Sequence, residues 1–342
     1  MRKLRLGTRG SKLALWQADY VSQELHRVVP DIEIETIIIK TKGDKILDVA
    51  LSKIGDKGLF TREIENELLV GNIDLAVHSL KDLPSILASG LILGGVLSRE
   101  NPQDVLISHK GFTLSSLPPN ARVGTSSLRR IAQLKALRPD LNMVDLRGNV
   151  ETRIRKMEAE GLDGIILAYA GVKRLGFGGA ISEIIATDLV LPAVGQGAVA
   201  VEIRAEDFAT GEMVAFINDQ DTLVEVLAER AFLATITVPS AAHQQPYNVS
   251  KANTGSTRRV KSPQGATLEG GCQVPIASLA RVKDQEIHLE GLVASLDGQR
   301  VIKGEQAGDA KNAEQLGRSL ALDLLDQGAG VILDEIRRLG AL

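Results

Sequence analysis

The feature that most restricts the fold is a repeated alternation of short β-branched runs with segments of helical periodicity, spanning residues 4–203. Residues 4–8 read as a strand. Ser11 then stands as a helix cap, and Ala14, Ala18, Val21 and Leu25 recur at the spacing of one helix face. Residues 32–39 are a dense β-branched run expected to form a buried strand. Residues 61–69 read as a helix, and residues 74–77 as a short strand that ends at His78-Ser79-Leu80-Lys81-Asp82. Repeated strand-helix-strand order specifies an α/β unit with a mostly parallel sheet covered on both faces.

The pattern restarts after Arg99-Glu100-Asn101-Pro102, where the chain is expected to cross into a second α/β unit. Strands are expected at 105–108, 121–124, 142–146 and 163–168. Thr125-Ser126-Ser127-Leu128-Arg129-Arg130 follows the second of these. Arg147-Gly148-Asn149 and a helix carrying Arg153 follow the third, and Lys173 and Arg174 follow the fourth. Basic residues thus collect just beyond strand ends, the edge of an open α/β sheet where ligands bind. Leu191-Pro192-Ala193-Val194-Gly195-Gln196-Gly197 reads as a return linker into a further strand at 198–203, so the two crossings would form a hinge. From about Thr222 the order changes to a helix, three strands and terminal helices, the mark of a smaller α+β unit. The expected division is 1–98 plus 194–218, 99–193, and 219–342.

Composition narrows the function. Hydrophobic residues at 44% and charged residues at 24% are ordinary for a folded globular chain. Aromatics at 3% argue against an aromatic binding box. A net charge of −3 gives no global attraction to nucleic acid or to an anionic membrane, so any anion site must be local. No apolar run approaches the roughly 18 residues of a membrane span. The start lacks the apolar core of a signal peptide, and a cytoplasmic setting is expected. One cysteine rules out an internal disulfide framework, and five scattered histidines (His26, His78, His109, His243, His288) give no metal-ligand spacing.

That cysteine, Cys272, lies in Leu268-Glu269-Gly270-Gly271-Cys272-Gln273-Val274-Pro275. Two glycines and a following proline make a loop able to present the sulfur, although a lone cysteine is also a common buried hydrophobe. Just before it, residues 236–267 are rich in Ser, Thr, Pro, Gln, Asn and Gly and contain no Asp or Glu against Lys251, Arg258, Arg259 and Lys261. A stretch this long without periodicity reads as an insertion, either a surface excursion or a basic lid.

Two constellations suggest chemistry. Arg129 and Arg130 at a helix start preceded by hydroxyls suit a carboxylate or phosphate, with a solvated helix end as the plain alternative. Arg9, Lys53, Lys57, Lys81, Arg147, Arg153 and Arg174 occupy comparable loop positions, which points to a ligand with several acidic groups. Asp82, beside Lys81, is either an ordinary loop carboxylate or a group that stabilises a cation and moves a proton. Gly176-Phe177-Gly178-Gly179 lacks the spacing of a dinucleotide fingerprint and reads as a turn.

These motifs together resemble the porphobilinogen deaminase (hydroxymethylbilane synthase) family. The resemblance rests on Thr8-Arg9-Gly10-Ser11-Lys12-Leu13-Ala14-Leu15-Trp16-Gln17, Gly55-Asp56-Lys57-Gly58-Leu59-Phe60, Ala76-Val77-His78-Ser79-Leu80-Lys81-Asp82-Leu83-Pro84, Val123-Gly124-Thr125-Ser126-Ser127-Leu128-Arg129-Arg130, Leu146-Arg147-Gly148-Asn149-Val150, the 191–197 linker and the cysteine loop. It covers nearly the whole chain apart from 236–267.

The resemblance implies two periplasmic-binding-protein-like (type II) α/β domains around a cleft plus a smaller α+β C-terminal domain. It implies a transferase of tetrapyrrole (heme) biosynthesis, monomeric and cytoplasmic. Four porphobilinogen molecules would be joined head to tail into hydroxymethylbilane with release of ammonia, primed by a dipyrromethane cofactor on a Cys272 thioether. By the same resemblance Asp82 is catalytic: it would assist loss of ammonia, stabilise the azafulvenium-like cation and help remove the α-proton. Cys272, Gly271, Asp82, Lys81, Asp44, Ser127, Arg129 and Arg130 would hold the cofactor. Arg9, Ser11, Lys53, Lys57, Phe60, Arg147, Arg153, Arg174 and Gln196 would meet the substrate. Phe60 is read either as stacking on a pyrrole or as core. The competing reading is a non-catalytic binding protein for a polycarboxylate.

Overall fold

The computed structural model of the protein describes residues 3–45, 58–237 and 274–339. Its first unit is built from β1 (Lys3–Thr8), α1 (Lys12–Val28), β2 (Glu33–Ile38), the single turn α2 (Lys42–Lys45), α3 (Arg62–Leu69), β3 (Leu75–Ser79) and β4 (Leu91–Val96). The second contains β5 (Asp104–Ile107), β6 (Arg122–Gly124), α4 (Leu128–Leu137), β7 (Asn142–Val144), α5 (Val150–Ala159), β8 (Gly164–Ala168), α6 (Tyr169–Arg174) and β9 (Ile181–Ile184). The chain then returns through β10 (Val199–Arg204) to the first sheet. After α7 (Phe208–Ala215) and α8 (Gln220–Thr237) come β11 (Ile276–Lys283), β12 (Glu286–Ala294), β13 (Val301–Asp309), α9 (Ala313–Asp326) and α10 (Ala329–Arg338).

The two five-stranded sheets share one plan, with orders β2-β1-β3-β10-β4 and β7-β6-β8-β5-β9. In each, the strand next to the far edge comes from a domain crossing and runs antiparallel to both neighbours, β10 in the first sheet and β5 in the second. The remaining pairings are parallel. This is the expected pair of type II α/β domains, followed by an antiparallel β11-β12-β13 sheet with helices.

Local sequence accounts for most elements. Ser11 caps α1 by accepting from the Ala14 N–H, and Ala14, Ala18, Val21 and Leu25 are the buried face the periodicity marked. The 32–39 run departs from expectation: β2 is an edge strand in which no residue is fully buried, and Ile38 is 55% exposed. β-branching gave it strand character, but burial depends on having a neighbour on each side, which an edge strand lacks. The helix α8 runs through Thr237, with Ile236 and Thr237 each 1% exposed, so these two residues belong to the helix rather than to the expected insertion. Residues 238–267 lie outside the described residues.

The two crossings touch. Gly197 has φ +93, and a Cβ there would stand 2.2 Å from the Glu100 carbonyl oxygen, so only glycine permits the approach. Arg99, in the first crossing, donates to Glu229 Oε1 at 2.6 Å, and the Gly195 N–H of the second donates to Glu229 Oε2 at 2.6 Å. A buried carboxylate of α8 therefore ties the two crossings together.

Candidate functional site

The C-terminal ends of the parallel strands in both sheets border one cavity of about 420 Å³. From the first sheet come Arg9, Ser11 and Lys12 after β1, and Ser79, Lys81 and Asp82 after β3. From the second come Arg130, Arg147, Arg153 and Arg174. Gly195, Gly197 and Ala198 form the hinge side. Among the described residues the lining holds seven basic side chains, Arg9, Lys12, Lys81, Arg130, Arg147, Arg153 and Arg174, against three carboxylates, Asp44, Asp82 and Glu151. Such a wall has the charge to suit a polyanion.

Asp82 ends a 3-10 turn, Leu80–Asp82, directly after β3. Leu80 and Leu83 on either side are 1% and 4% exposed, so the turn is pinned by apolar burial while Asp82 itself is exposed to the cavity. A smaller recess beside it is lined by Gln17, Ser79 and Arg9. Gln17 is 2% exposed and donates to Ser79 Oγ at 2.9 Å, which fixes that wall.

Arg9 binds Asp44 through two nitrogens, with Nη2 at 2.5 Å from Oδ1, and its guanidinium lies 4.2 Å from the centre of the Phe60 ring. Burial disfavours the Asp44 carboxylate, but the Arg9 hydrogen bonds and charge, with Thr41, outweigh it and hold its pKa below the usual range. A Cβ on Gly43 would meet Phe60 at 2.2 Å, so the ring is packed against that backbone. Phe60 is thus placed as the platform under Arg9. Arg174 donates to the Gly197 carbonyl at 2.7 Å and lies 5.2 Å from the Trp16 ring centre across the two domains. Burial lowers its pKa, with Glu100 opposing. Arg153 donates to the Gly148 carbonyl at 2.7 Å, and Arg147 lies on the same wall.

Three residues expected at the site stand behind it. Arg129, 2% exposed, donates to Asp104 at 2.8 Å and to the Leu191 carbonyl at 2.7 Å. Gln196, 1% exposed, donates to the Pro102 carbonyl and to Asp104, and its Oε1 accepts from Lys81 at 3.5 Å. Ser127 is buried at the start of α4, and its hydroxyl makes no hydrogen bond to any of the described residues. Arg130 does both jobs: it reaches the cavity wall and donates to Asp104 at 2.7 Å. Cys272, Gly271, Lys53 and Lys57 lie outside the described residues.

Sequence reasoning missed Asp104, the 0%-exposed carboxylate that gathers Arg129, Arg130 and Gln196. Burial opposes its charge, and Arg129 and then Arg130 overcome that and depress its pKa far below the usual carboxylate range. The available signal was an acid placed immediately before the apolar strand at Val105, where a plain strand would not need one. Also unanticipated was a bond across the cleft mouth, Lys12 Nζ to Glu151 Oε2 at 2.6 Å.

Two family models match the chain: "Porphobilinogen deaminase, dipyromethane cofactor binding domain" over residues 4–212 and "Porphobilinogen deaminase, C-terminal domain" over residues 266–326. Residues 213–265, which contain most of the expected insertion, are covered by neither. The chain is 54% identical to the porphobilinogen deaminase of Syntrophomonas wolfei subsp. wolfei, over 99% of this chain and 100% of that one. It is 51% identical to that of Carboxydothermus hydrogenoformans, over 98% of each. Among solved structures, the substrate binding domain of a putative molybdenum ABC transporter from Clostridium difficile aligns at 9% identity and a TM-score of 0.40, over 65% of this chain and 96% of that one.

Proposed function

Because this chain belongs to the porphobilinogen deaminase family, we propose that it joins four porphobilinogen molecules head to tail into hydroxymethylbilane, releasing ammonia at each addition. The observation that supports this most is the exposed Asp82 carboxylate, pinned on its turn at a wall of seven cations from two domains. Each pyrrole carries an acetate and a propionate, so substrate and growing chain are polyanions that such a wall attracts.

A dipyrromethane, with four carboxylates of its own, fits this donor set. A cavity of about 420 Å³ is available, and the Ser127 hydroxyl, without a hydrogen-bond partner among the described residues, stands at the start of the helix that carries Arg130. Cys272 would hold it as a thioether, with Gly271, Lys81, Asp82, Asp44 and Arg130 around it, and with Ser127 and the buried Arg129 supporting that wall from behind. When bound, it supplies the carbon to which the first unit is joined. Arg9, Ser11, Lys53, Lys57, Arg147, Arg153, Arg174 and Gln196 orient substrate carboxylates, either directly or, for the buried Gln196, by fixing Lys81 and the hinge. Phe60 keeps Arg9 flat against the site.

Asp82 carries the proton work. It assists protonation of the leaving amine, faces the positive charge left on the substrate when ammonia departs, and takes up the α-proton lost after the new carbon–carbon bond forms. Around it the paired Arg9 and Arg174 hold fixed positions, so little reorganisation accompanies the charge change. The chain works as a cytoplasmic monomer, with domains at 1–98 plus 194–218, 99–193 and 219–342. Among the described residues no helix is long and apolar enough to cross a membrane.

Intact-mass measurement of the purified protein tests this reading. The expected mass exceeds that of the bare chain by one dipyrromethane, mapped by digestion to Cys272; a bare mass would favour a non-catalytic polycarboxylate binder. A second expectation concerns the cleft mouth. The exposed Lys12–Glu151 pair is weak, so Lys12→Glu should raise KM for porphobilinogen by no more than about fivefold. The double reversal K12E/E151K should restore it, and the wild-type KM should drift the same way as salt rises. An effect of K12E that the double reversal leaves untouched would show that the pair does not act across the mouth.

A further inference from the structure

The turn that carries Asp82 is held from beneath by the third domain. Leu80 and Leu83 pack with Val96, Ala200 and Val226, the last of these from α8. Four residues on, along the same face of α8, Arg230 extends under the chain that leaves the turn. Its Nη2 donates to the Pro84 carbonyl at 2.6 Å and to the Ser85 carbonyl at 3.1 Å. The side chain is buried, with the residue only 9% exposed. Burial lowers the guanidinium pKa to about 10 and the charge of Glu202 opposes the fall, so the group remains a cation at neutral pH. Glu202 is itself 0% exposed on β10, with His78 Nε2 of β3 at 3.3 Å.

A buried cation is costly, and a leucine would pack α8 against the first sheet at less expense. What the guanidinium adds is direction. Its contacts fall two and three residues after Asp82, where a small shift of the backbone is passed to the carboxylate. The same helix governs the other partner of the chemistry. It is the last described element before Cys272, and β11, the next one after it, is tied to α8 by the bond from the Ala280 N–H to Glu229 at 2.8 Å. Ile236 of α8 also shares a core with Val274 and Ile276.

We propose that Arg230 is a positioning residue, which grips the Pro84 and Ser85 carbonyls and so holds the Asp82 turn in register with the helix that precedes the cofactor-carrying segment. This rests on the role given to Asp82 above. It acts on the chemical step and leaves substrate binding to the cavity cations.

The test uses full-length protein whose mass shows the dipyrromethane in place. Arg230→Met should lower kcat by about 10- to 100-fold, the scale of a displacement of about 1 Å in a reacting group, with KM changed by less than about twofold. Arg230→Lys, which can still donate to one carbonyl, should recover part of the loss and show a displaced acid limb in the kcat–pH profile. Wild-type kcat in a folded, loaded Arg230→Met, or a rise in KM that matches the fall in kcat, overturns the proposal. Should Arg230→Met not fold, Arg230→Lys decides: reduced kcat with unchanged KM supports the role, and wild-type kcat with an unmoved pH profile overturns it. Absence of turnover in loaded wild-type protein would instead remove the functional reading itself.

Discussion

Asp82→Asn, assayed on protein that carries its dipyrromethane, is expected to lower kcat by about 10²- to 10⁴-fold, the usual worth of a positioned acid–base group. The carboxylate sits where geometry allows such a role. It is exposed to the cavity, while the residues on both sides of its turn are pinned in an apolar layer. Asparagine preserves the size and the turn but can neither take up a proton nor oppose a positive charge on the substrate. The cations that bind carboxylates remain, so KM should move far less than kcat. Asp82→Glu keeps the chemistry but moves the oxygens by one methylene, and should fall between the two. Steady-state kinetics and the pH dependence of kcat decide the matter. Turnover of Asp82→Asn within tenfold of wild type would assign the proton transfer to another group.

The second large effect belongs to stability. Asp104→Asn should destabilise the second domain by about 3–5 kcal/mol, because it leaves two buried guanidinium groups without their counter-charge. Asp104 is 0% exposed and accepts from Arg129, Arg130 and Gln196 at 2.7–2.8 Å, so no solvent screens the loss. The pH dependence follows from its depressed pKa. A carboxyl whose folded pKa lies below the unfolded value of about 3.9 contributes in full above that value, and the contribution is lost as the pH falls through the folded pKa. The wild-type and Asp104→Asn proteins should therefore differ by a constant amount between pH 5 and 8 and converge in strong acid. Urea unfolding followed at several pH values measures this. Equal midpoints at pH 7 would mean that the arginines find other partners. Because Gln196 belongs to the hinge and Arg130 to the cavity wall, the variant should also lose activity in native buffer.

Much of this protein was legible before folding was considered. The apolar spacing of Ala14, Ala18, Val21 and Leu25 specified α1 and its buried face, since a helix presents every third or fourth residue to one side. The restart after Arg99 and the return at 191–197 marked both domain crossings, and the run of basic residues after strands marked the edge that became the cavity wall. Strands β4 and β9 escaped notice because glycines and short length hide their pattern. Burial of β2 was overestimated because sheet position is invisible in a local window.

The site divided along the same line. Residue order and chemistry alone determined that the chain builds two successive α/β units, that cations cluster at strand ends, and that Asp82 follows a strand beside Lys81. All three properties are local, written in side-chain period and in the residues that follow each strand. Only the tertiary structure decided which cations face the cavity and which serve as scaffold. Arg129 and Arg130 are adjacent in sequence, yet one is withdrawn to the Leu191 carbonyl while the other reaches the wall. Asp104 holds both from beneath, and Arg230 came to lie under the Pro84 carbonyl from 146 residues away. Such pairings arise because buried charges must find partners wherever the packed domains bring them together, and no local pattern encodes that meeting.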